Sequence, residues 1–349
     1  MLKQLEINNL KSIDKETLRL EPLTLLTGSN SSGKSTVIQA LMLLIRNSQV
    51  SNRYSMEELI RYLSDFSTIR NKKNNAKSID IMAIDDERNC HSLQITSDGM
   101  QKSGQLPYFY ELEPDEEGLE LLYLNANRIG AQELLQVSER KVGSLGEYLF
   151  STFERIKGKA LPDSLLRFEG SKTISYQVGK WLSFITGSET ELITEKLSDQ
   201  VYVSFSVKDI DANVSPFNLG AGMSYIAKVI IICLMAKKGD LILLENPEIQ
   251  LHPKAQAQLG VFLSYIANSG IQLIVETHCE HLINKIAYEV YEEHIQSDAV
   301  VIHYKSNVNS NFETILIDEN GEFNNTAGEV IGFPTGFFDA TLSDLMKMR

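Results

Sequence analysis

The sequence predicts an α/β fold around a mostly parallel sheet, with a large and partly helical insertion. Three observations predict it. Short apolar runs alternate with helical periodicity over much of the chain. A glycine-rich turn joins one such run to a helix near the start, and a second apolar run, residues 241–244, ends on the carboxylate Glu245. The 349 residues are 43% hydrophobic and 23% charged, ordinary globular composition with ample apolar material for a core.

In chain order, Leu2, Leu5 and Ile7 mark a first strand, residues 17–20 a second and 23–27 a short buried third. The helix after the glycine-rich turn carries Val37, Ile38, Leu41, Leu44 and Ile45 on its apolar side. Residues 47–200 read as an insertion or arm, with 55–64 helical and 79–84, 93–96 and 121–124 as strands. Within it, 145–156 and 161–184 read as largely helical, Pro162 being tolerated in a first turn. Strand patterning returns at Val201, Val203, Phe205 and Val207. A very apolar helix over about 221–236 stops at Lys237, Lys238 and Gly239. Strands at 241–244, 272–275, 300–304 and 314–317 then alternate with helices at 254–267 and 280–291, so that 1–46 and 201–349 form the expected core.

The formal net charge of -13 counts against a chain that lives on neutralising phosphate, so non-specific DNA binding is not favoured by bulk charge. A basic run (Arg70, Lys72, Lys73, Lys77) and an acidic run (Glu111, Glu113, Asp115, Glu116, Glu117, Glu120) both read as solvated loop. The longest apolar stretch, 229–236, falls far short of the ~20 residues a membrane span needs. No charged start followed by an apolar segment is seen. Cys90, Cys233 and Cys279 are scattered and form no CxxC pair. A cytoplasmic location without membrane contact is expected.

Residues 28–35, GSNSSGKS, match G-x4-G-K-[ST] in full. Glycines let the backbone wrap so that its N–H groups and the following helix start face phosphate oxygens. Gly28, Asn30, Ser32, Gly33, Lys34, Ser35 and Thr36 are the expected cradle, with Lys34 on the β- and γ-phosphates and the Ser35 hydroxyl on Mg²⁺. The run LILLENPE, 241–248, has the form of a strand delivering a carboxylate to the edge of an α/β sheet, where ligands sit. Glu245 is expected to hold Mg²⁺ through water, with a second acid placing the attacking water. Residues 218–224, NLGAGMS, combine Gly220, Gly222 and Ser224 before an apolar helix, a second anion-binding helix start or else a tight turn with an N-cap serine. His278 closes another buried strand at the same sheet edge. His278, Cys279, Glu280 and His281 straddle a strand end and a helix start, which is poor spacing for a metal site.

That ordered set resembles the ABC-class ATPases, and within them the RecF/OLD-like bacterial AAA-type ATPases of anti-phage defence systems. The opening LKQLEINNLKSI and the ending GEVIGFPTGFFD are similar to that group, whereas the middle contributes only YLNANRIGAQ. The resemblance implies a P-loop NTPase of ABC ATPase-head type that binds ATP and Mg²⁺ between two copies of itself. It places Gly220, Gly222 and Ser224 where the signature motif reaches the γ-phosphate of the other subunit, and His278 as the sensor of that phosphate. Arg128 falls in the A-x-R-x-G stretch, as a nucleotide or coupling contact or a structural ion pair. Two departures stand out: Glu245 replaces the usual aspartate and Asn246 the usual catalytic glutamate, leaving Glu248 as the acid for water or leaving hydrolysis slow.

OLD proteins often carry a C-terminal Toprim nuclease. The stretch after Thr277 is short and has no Asp-x-Asp pair, while Asp209 and Asp211 read as a polar turn, so no nuclease is expected in this chain. Three readings follow. One is an ATP-driven homodimer or higher oligomer controlling a separately encoded nuclease or toxin. Another is a nucleotide-gated scaffold with little turnover, which Asn246 suits. The third is a DNA-repair head of SMC or RecF kind, against which the acidic balance and the missing coiled coil count.

Overall fold

The computed structural model describes residues 1–48, 54–112, 117–208 and 212–333, and these group into two compact units. The first unit takes the described residues of 1–49, 60–106 and 276–349; the second takes those of 50–59 and 107–275. The expected arm, 47–200, is therefore divided between both units. Asp209 and Asp211, and the ending from residue 334, lie outside the described residues.

In the first unit β1 (Leu2–Leu10) pairs antiparallel with β2 (Ile13–Arg19) and with β4 (Ser78–Asp85). The sheet continues through β5 (Cys90–Thr96) to β6 (Gly99–Ser103). Alternation explains it: Leu5, Ile7, Ile79, Ile81, Leu93 and Ile95 point to the buried face, their neighbours to the other. A second group is mixed. β3 (Leu23–Gly28), buried throughout, pairs parallel with β15 (Val300–Lys305), which pairs antiparallel with β16 (Glu313–Ile317), followed by β17 (Phe323–Asn324). Between them α1 (Lys34–Arg46) packs on β1, β3, β4 and β5, and Val37, Ile38, Leu41 and Leu44 are buried there. The short α3 (Phe66–Ile69), N-capped by Asp65, and α8 (Glu280–Tyr291) complete the unit, with α2 (Glu57–Ile60) at the sequence border.

The second unit holds strands in the order β14 (Gln272–Glu276), β13 (Leu241–Glu245), β8 (Leu119–Leu124) and β7 (Tyr108–Tyr110). β13 runs parallel to β8 and β8 parallel to β7, with apolar residues on both faces, as parallel sheets require. A separate antiparallel group joins β9 (Leu134–Gln136), β10 (Thr190–Leu197), β11 (Gln200–Val207) and β12 (Ala212–Val214). The helices are α4 (Leu149–Ile156), α5 (Ile174–Thr186), α6 (Ala221–Leu234) and α7 (Pro253–Asn268). Trp181 of α5 is fully buried and meets Phe168 and Phe262 edge-on at 5.1 and 4.8 Å, an aromatic core for this unit.

Three expectations are corrected. The helix expected over 161–184 begins only at Ile174; Leu161 and Leu165 are buried in a turn containing a short 3₁₀ stretch, Asp163–Leu165. The helix expected from 145 starts at Leu149, after Gly143 and Gly146 at positive φ. The acidic run is not all solvated: Glu111 is buried and accepts from Gly143 N at 2.7 Å and Arg140 Nε at 3.3 Å, and buried Glu120 pairs with Lys141 at 2.7 Å. Glu113, Asp115 and Glu116 lie outside the described residues.

Candidate functional site

In the first unit β3 delivers the glycine-rich loop directly into α1. Gly28 has φ 127° and Gly33 φ 114°, both in the region that L side chains rarely adopt. A Cβ on Gly28 would sit 2.1 Å from the Lys305 carbonyl oxygen across the β3–β15 ladder. One on Gly33 would sit 2.7 Å from Ser12 Oγ. Ser31 also turns at positive φ, so the loop curls around its own amides.

Lys34 is buried beneath that loop and donates to the carbonyls of Gly28 (3.2 Å) and Ser29 (2.6 Å). Burial lowers its ammonium below the ordinary range, and the Glu276 carboxylate opposes that shift. Ser29, Asn30 and Ser31 are exposed along the rim, Ser35 is half-buried, and Thr36 and Ser32 are buried. The Ser32 hydroxyl has no hydrogen-bond partner among the described residues.

The segment after β14 meets this loop inside the same unit. Thr277 N donates to Leu26 O of β3 at 3.0 Å, and Cys279 Sγ caps α8 by accepting from Leu282 N at 3.4 Å. His278, between them, is exposed and hydrogen-bonds the Gly28 main chain. Partial burial first, and the Lys34 ammonium second, lower its pKa from 6.5, which favours a neutral imidazole. The first unit thus brings together Gly28, Lys34, Glu276 and His278. Among the described residues no three His, Cys, Asp or Glu side chains converge to hold a metal.

A cavity of about 520 Å³ lies beside the loop, lined by Lys11, Ser12, Glu16, Arg70, Asn71 and Lys305 among others. Lys72 and Lys73 line it too, so most of the basic run read as solvated loop faces a concavity. Buried Lys305 approaches Glu16 at 3.5 Å.

The second unit gathers the other candidates at the C-terminal end of β13. Glu245 accepts from the Tyr123 hydroxyl at 2.9 Å and from Ala126 N at 3.1 Å, and burial raises its pKa above the ordinary range. Asn246 follows at φ 45°, a left-handed position that asparagine tolerates, and Glu248 is buried. Arg128 is buried and donates to the carbonyls of Asn125 (3.2 Å), Glu245 (3.0 Å) and Asn246 (2.9 Å). Burial lowers its pKa to about 10, with Glu248 foremost in opposing the shift. Within this chain these hydrogen bonds go to carbonyls rather than carboxylates, with the Glu248 and Glu245 charges acting on the guanidinium through space.

The glycine-serine segment leads into α6. Gly220 is exposed, but Gly222 and Ser224 face inward: a Cβ on Gly222 would sit 2.5 Å from Gln250 O, and Ser224 is 1% exposed. Of the three residues expected to reach another subunit's phosphate, only Gly220 is exposed in this chain. The exposed residues at this helix start are Phe217, Asn218 and Gly220. α6 also binds the loop that holds Arg128: Tyr225 lies under the guanidinium, and Lys228 Nζ donates to Ile129 O at 2.7 Å and Gln132 Oε1 at 2.6 Å. Tyr123, Ala126, Tyr225 and Lys228 were not assigned a role from the sequence. Each acts through a fold contact far along the chain, as Glu276, at the strand end before His278, does on Lys34.

Comparison with known proteins matches residues 49–284 to the family model described as "AAA domain, putative AbiEii toxin, Type IV TA system". Residues 2–57 match the P-loop containing region of an AAA domain. The chain belongs to this AAA-domain family. The AAA-domain chain is also 24% identical over 356 aligned positions to the OLD nuclease of Thermus scotoductus, covering 87% of this chain and 64% of that relative. It spans less than two thirds of the relative's length. Among solved structures it resembles an Smc head bound to the C-winged helix domain of ScpA, with a TM-score of 0.55, 12% identity, and 91% and 98% of the two chains covered. An Smc head with an extended coiled coil, bound to the C-terminal domain of ScpA derived from Pyrococcus furiosus, gives 0.51, 12%, 90% and 96%. At that identity the likeness is one of fold: the AAA-domain chain has a P-loop ATPase fold of the SMC-head and OLD kind, with mixed sheets. Among the described residues no helix is long and apolar enough to cross a membrane.

Proposed function

We propose that this AAA-domain protein binds and hydrolyses Mg·ATP, pairs with a second copy when it does so, and controls a separately encoded effector, a nuclease or toxin, in anti-phage defence. The observation that carries the reading is the loop 28–36, in which a buried Lys34 and a His278 imidazole sit on one glycine-built turn. In this reading Lys34 exchanges its carbonyl partners for the β- and γ-phosphates, the loop amides bind phosphate oxygens, and neutral His278 hydrogen-bonds the γ-phosphate. The neighbouring cavity, lined by Lys11, Arg70 and Lys305, takes the nucleoside end. Ser35 and Glu245 offer hydroxyl and carboxylate oxygen, the hard donors that suit Mg²⁺, whose contribution is to neutralise charge on the phosphates. Glu248 accepts the proton of the attacking water and Asn246 orients it. The exposed helix start Phe217–Asn218, with Gly220, is the proposed contact with the second copy.

Asn246 also favours the second reading, a nucleotide-gated scaffold with slow turnover. ATPase rates with and without DNA, with sedimentation in ATP plus Mg²⁺, test both. Turnover together with nucleotide-dependent assembly is expected. Assembly without turnover selects the scaffold, turnover only with DNA selects a DNA-acting head, and an assembly state that ignores nucleotide removes the proposed pairing.

A further inference from the structure

The second unit contains a concavity at the opposite end of its parallel strands from Glu245. It has a volume of about 240 Å³ and a floor that includes Ile156, Leu161, Ile174 and Leu234. Four cations border it: Lys141, Arg155, Lys159 and Lys237. Two carboxylates, Glu120 and Asp240, face it and are already satisfied. Glu120 holds Lys141 at 2.7 and 2.9 Å, while Asp240 accepts from Glu120 N at 2.8 Å and Lys237 N at 2.9 Å. Lys159 and Lys237 are exposed, and neither ammonium has a carboxylate within salt-bridge distance among the described residues. Among the described residues Arg155 donates to the carbonyls of Ser138 and Glu139 and to the Thr152 hydroxyl. A chain of net charge -13 therefore keeps an excess of cations around an apolar hollow.

We propose that this hollow is a binding site for a small organic anion with an apolar body, such as a one- or two-ring aromatic acid. The body lies on the aliphatic floor and the acid meets Lys159 and Lys237. The volume is below the usual range for drug-sized ligands, which sets the size of the body. The acid adds charge-assisted hydrogen bonds and orientation, while most of the affinity comes from apolar area removed from water. The position matters because Glu120 and Asp240 stand at the start of β8 and β13, whose far ends carry Tyr123 and Glu245. The occupant would touch the same two hydrogen-bonded strands about 15 Å from the catalytic edge, at about 3.3 Å per residue. The inference does not depend on ATP turnover.

The test is a fluorescence titration of the full chain with naphthoate and with naphthalenemethanol, its neutral counterpart. Naphthoate should bind at least about tenfold more tightly, and Lys159→Glu/Lys237→Glu should remove that preference. Both residues are exposed, so the double variant should keep its melting temperature. Leu161→Trp, which fills the floor, should weaken both ligands together. No binding of naphthoate at millimolar concentration, equal binding of the two compounds, or a preference that survives the double variant would each overturn the proposal.

Discussion

The guanidinium of Arg128 lies 5.0 Å from the ring centroid of Tyr225, so the first turns of α6 rest on the residue that grips the end of β13. The glycine-serine helix and the Glu245 turn are thereby joined through one planar cation. Arg128→Lys keeps the charge but cannot serve three carbonyls from a fork. Steady-state turnover should fall about 10- to 100-fold while ATP affinity, read by calorimetry, stays within a few-fold. Arg128→Ala should lower stability by about 1–3 kcal/mol, the cost of leaving buried carbonyls unsatisfied. A wild-type rate in Arg128→Lys would show that this grip is not needed for chemistry.

Removing the Lys34 ammonium should abolish nucleotide binding. Lys34→Ala is expected to lose Mg·ATP binding and turnover together, because the loop amides alone do not balance the charge of β- and γ-phosphates. Since Lys34 is bonded to Gly28 and Ser29, the variant should also loosen the loop and speed amide exchange at residues 28–33. Unchanged affinity in calorimetry would contradict the proposed function at its base.

Glu248 and Asn246 can be separated by substitution. Glu248→Gln should bind ATP and hydrolyse it about 10²- to 10⁴-fold more slowly, accumulating the paired form. His278→Ala should slow turnover less severely, and Asn246→Glu should raise it. A normal rate in Glu248→Gln alongside a dead Asn246→Ala would move the step to the amide.

The two glycines before and within α6 should respond unequally. Gly222→Ala forces a Cβ against Gln250 O at 2.5 Å and should cost about 1–3 kcal/mol in thermal or denaturant unfolding. Around Gly220 a Cβ meets nothing within 4 Å and φ is -57°, so Gly220→Ala should change stability by less than about 0.5 kcal/mol. If Gly220→Ala impairs nucleotide-dependent pairing while melting normally, the exposed helix start is a contact surface. Normal pairing in that variant counts against it.

Lys228 gives the fold a pH dependence whose sign can be worked out. Burial lowers its ammonium from 10.5 to about 7. Between those values the unfolded chain binds the extra proton, so this residue's contribution to stability rises from about pH 7 to 10.5 and is lost on returning downward. Lys228→Met should flatten that rise, removing on the order of 1–2 kcal/mol of the change between about pH 7 and 9. Denaturant midpoints of both proteins at the two pH values read it directly. Parallel curves would mean that Lys228 is charged at neutral pH in the folded chain.

The glycine-rich loop was legible because its constraint is local: strand, turn and helix are contiguous, and Gly28 and Gly33 adopt the φ values their residue type permits. The buried strands 241–245 and 272–276 were legible for the same reason, as unbroken apolar runs. The strand Thr190–Leu197 was not, because Thr190 and Thr194 occupy inward positions beside Leu192 and blur the apolar alternation. The turn at 161–165 misled because Leu161 and Leu165 are buried around a single short 3₁₀ turn rather than on an α-helix. Nor could sequence spacing show that Ser224 faces inward, since a serine near a helix start suits a cap, a ligand contact or a core position equally.

Arg128 reaches the end of β13 through amide carbonyls, those of Asn125, Glu245 and Asn246, rather than through a carboxylate of Glu245. Had the same guanidinium closed a fork on Glu245 instead, it would compete for that carboxylate with the dication proposed to bind there. The fork thus anchors the turn through main-chain oxygens while its charge still acts on Glu248 and Glu245 through space, so one residue both holds the shape of this turn and sets its electrostatic balance.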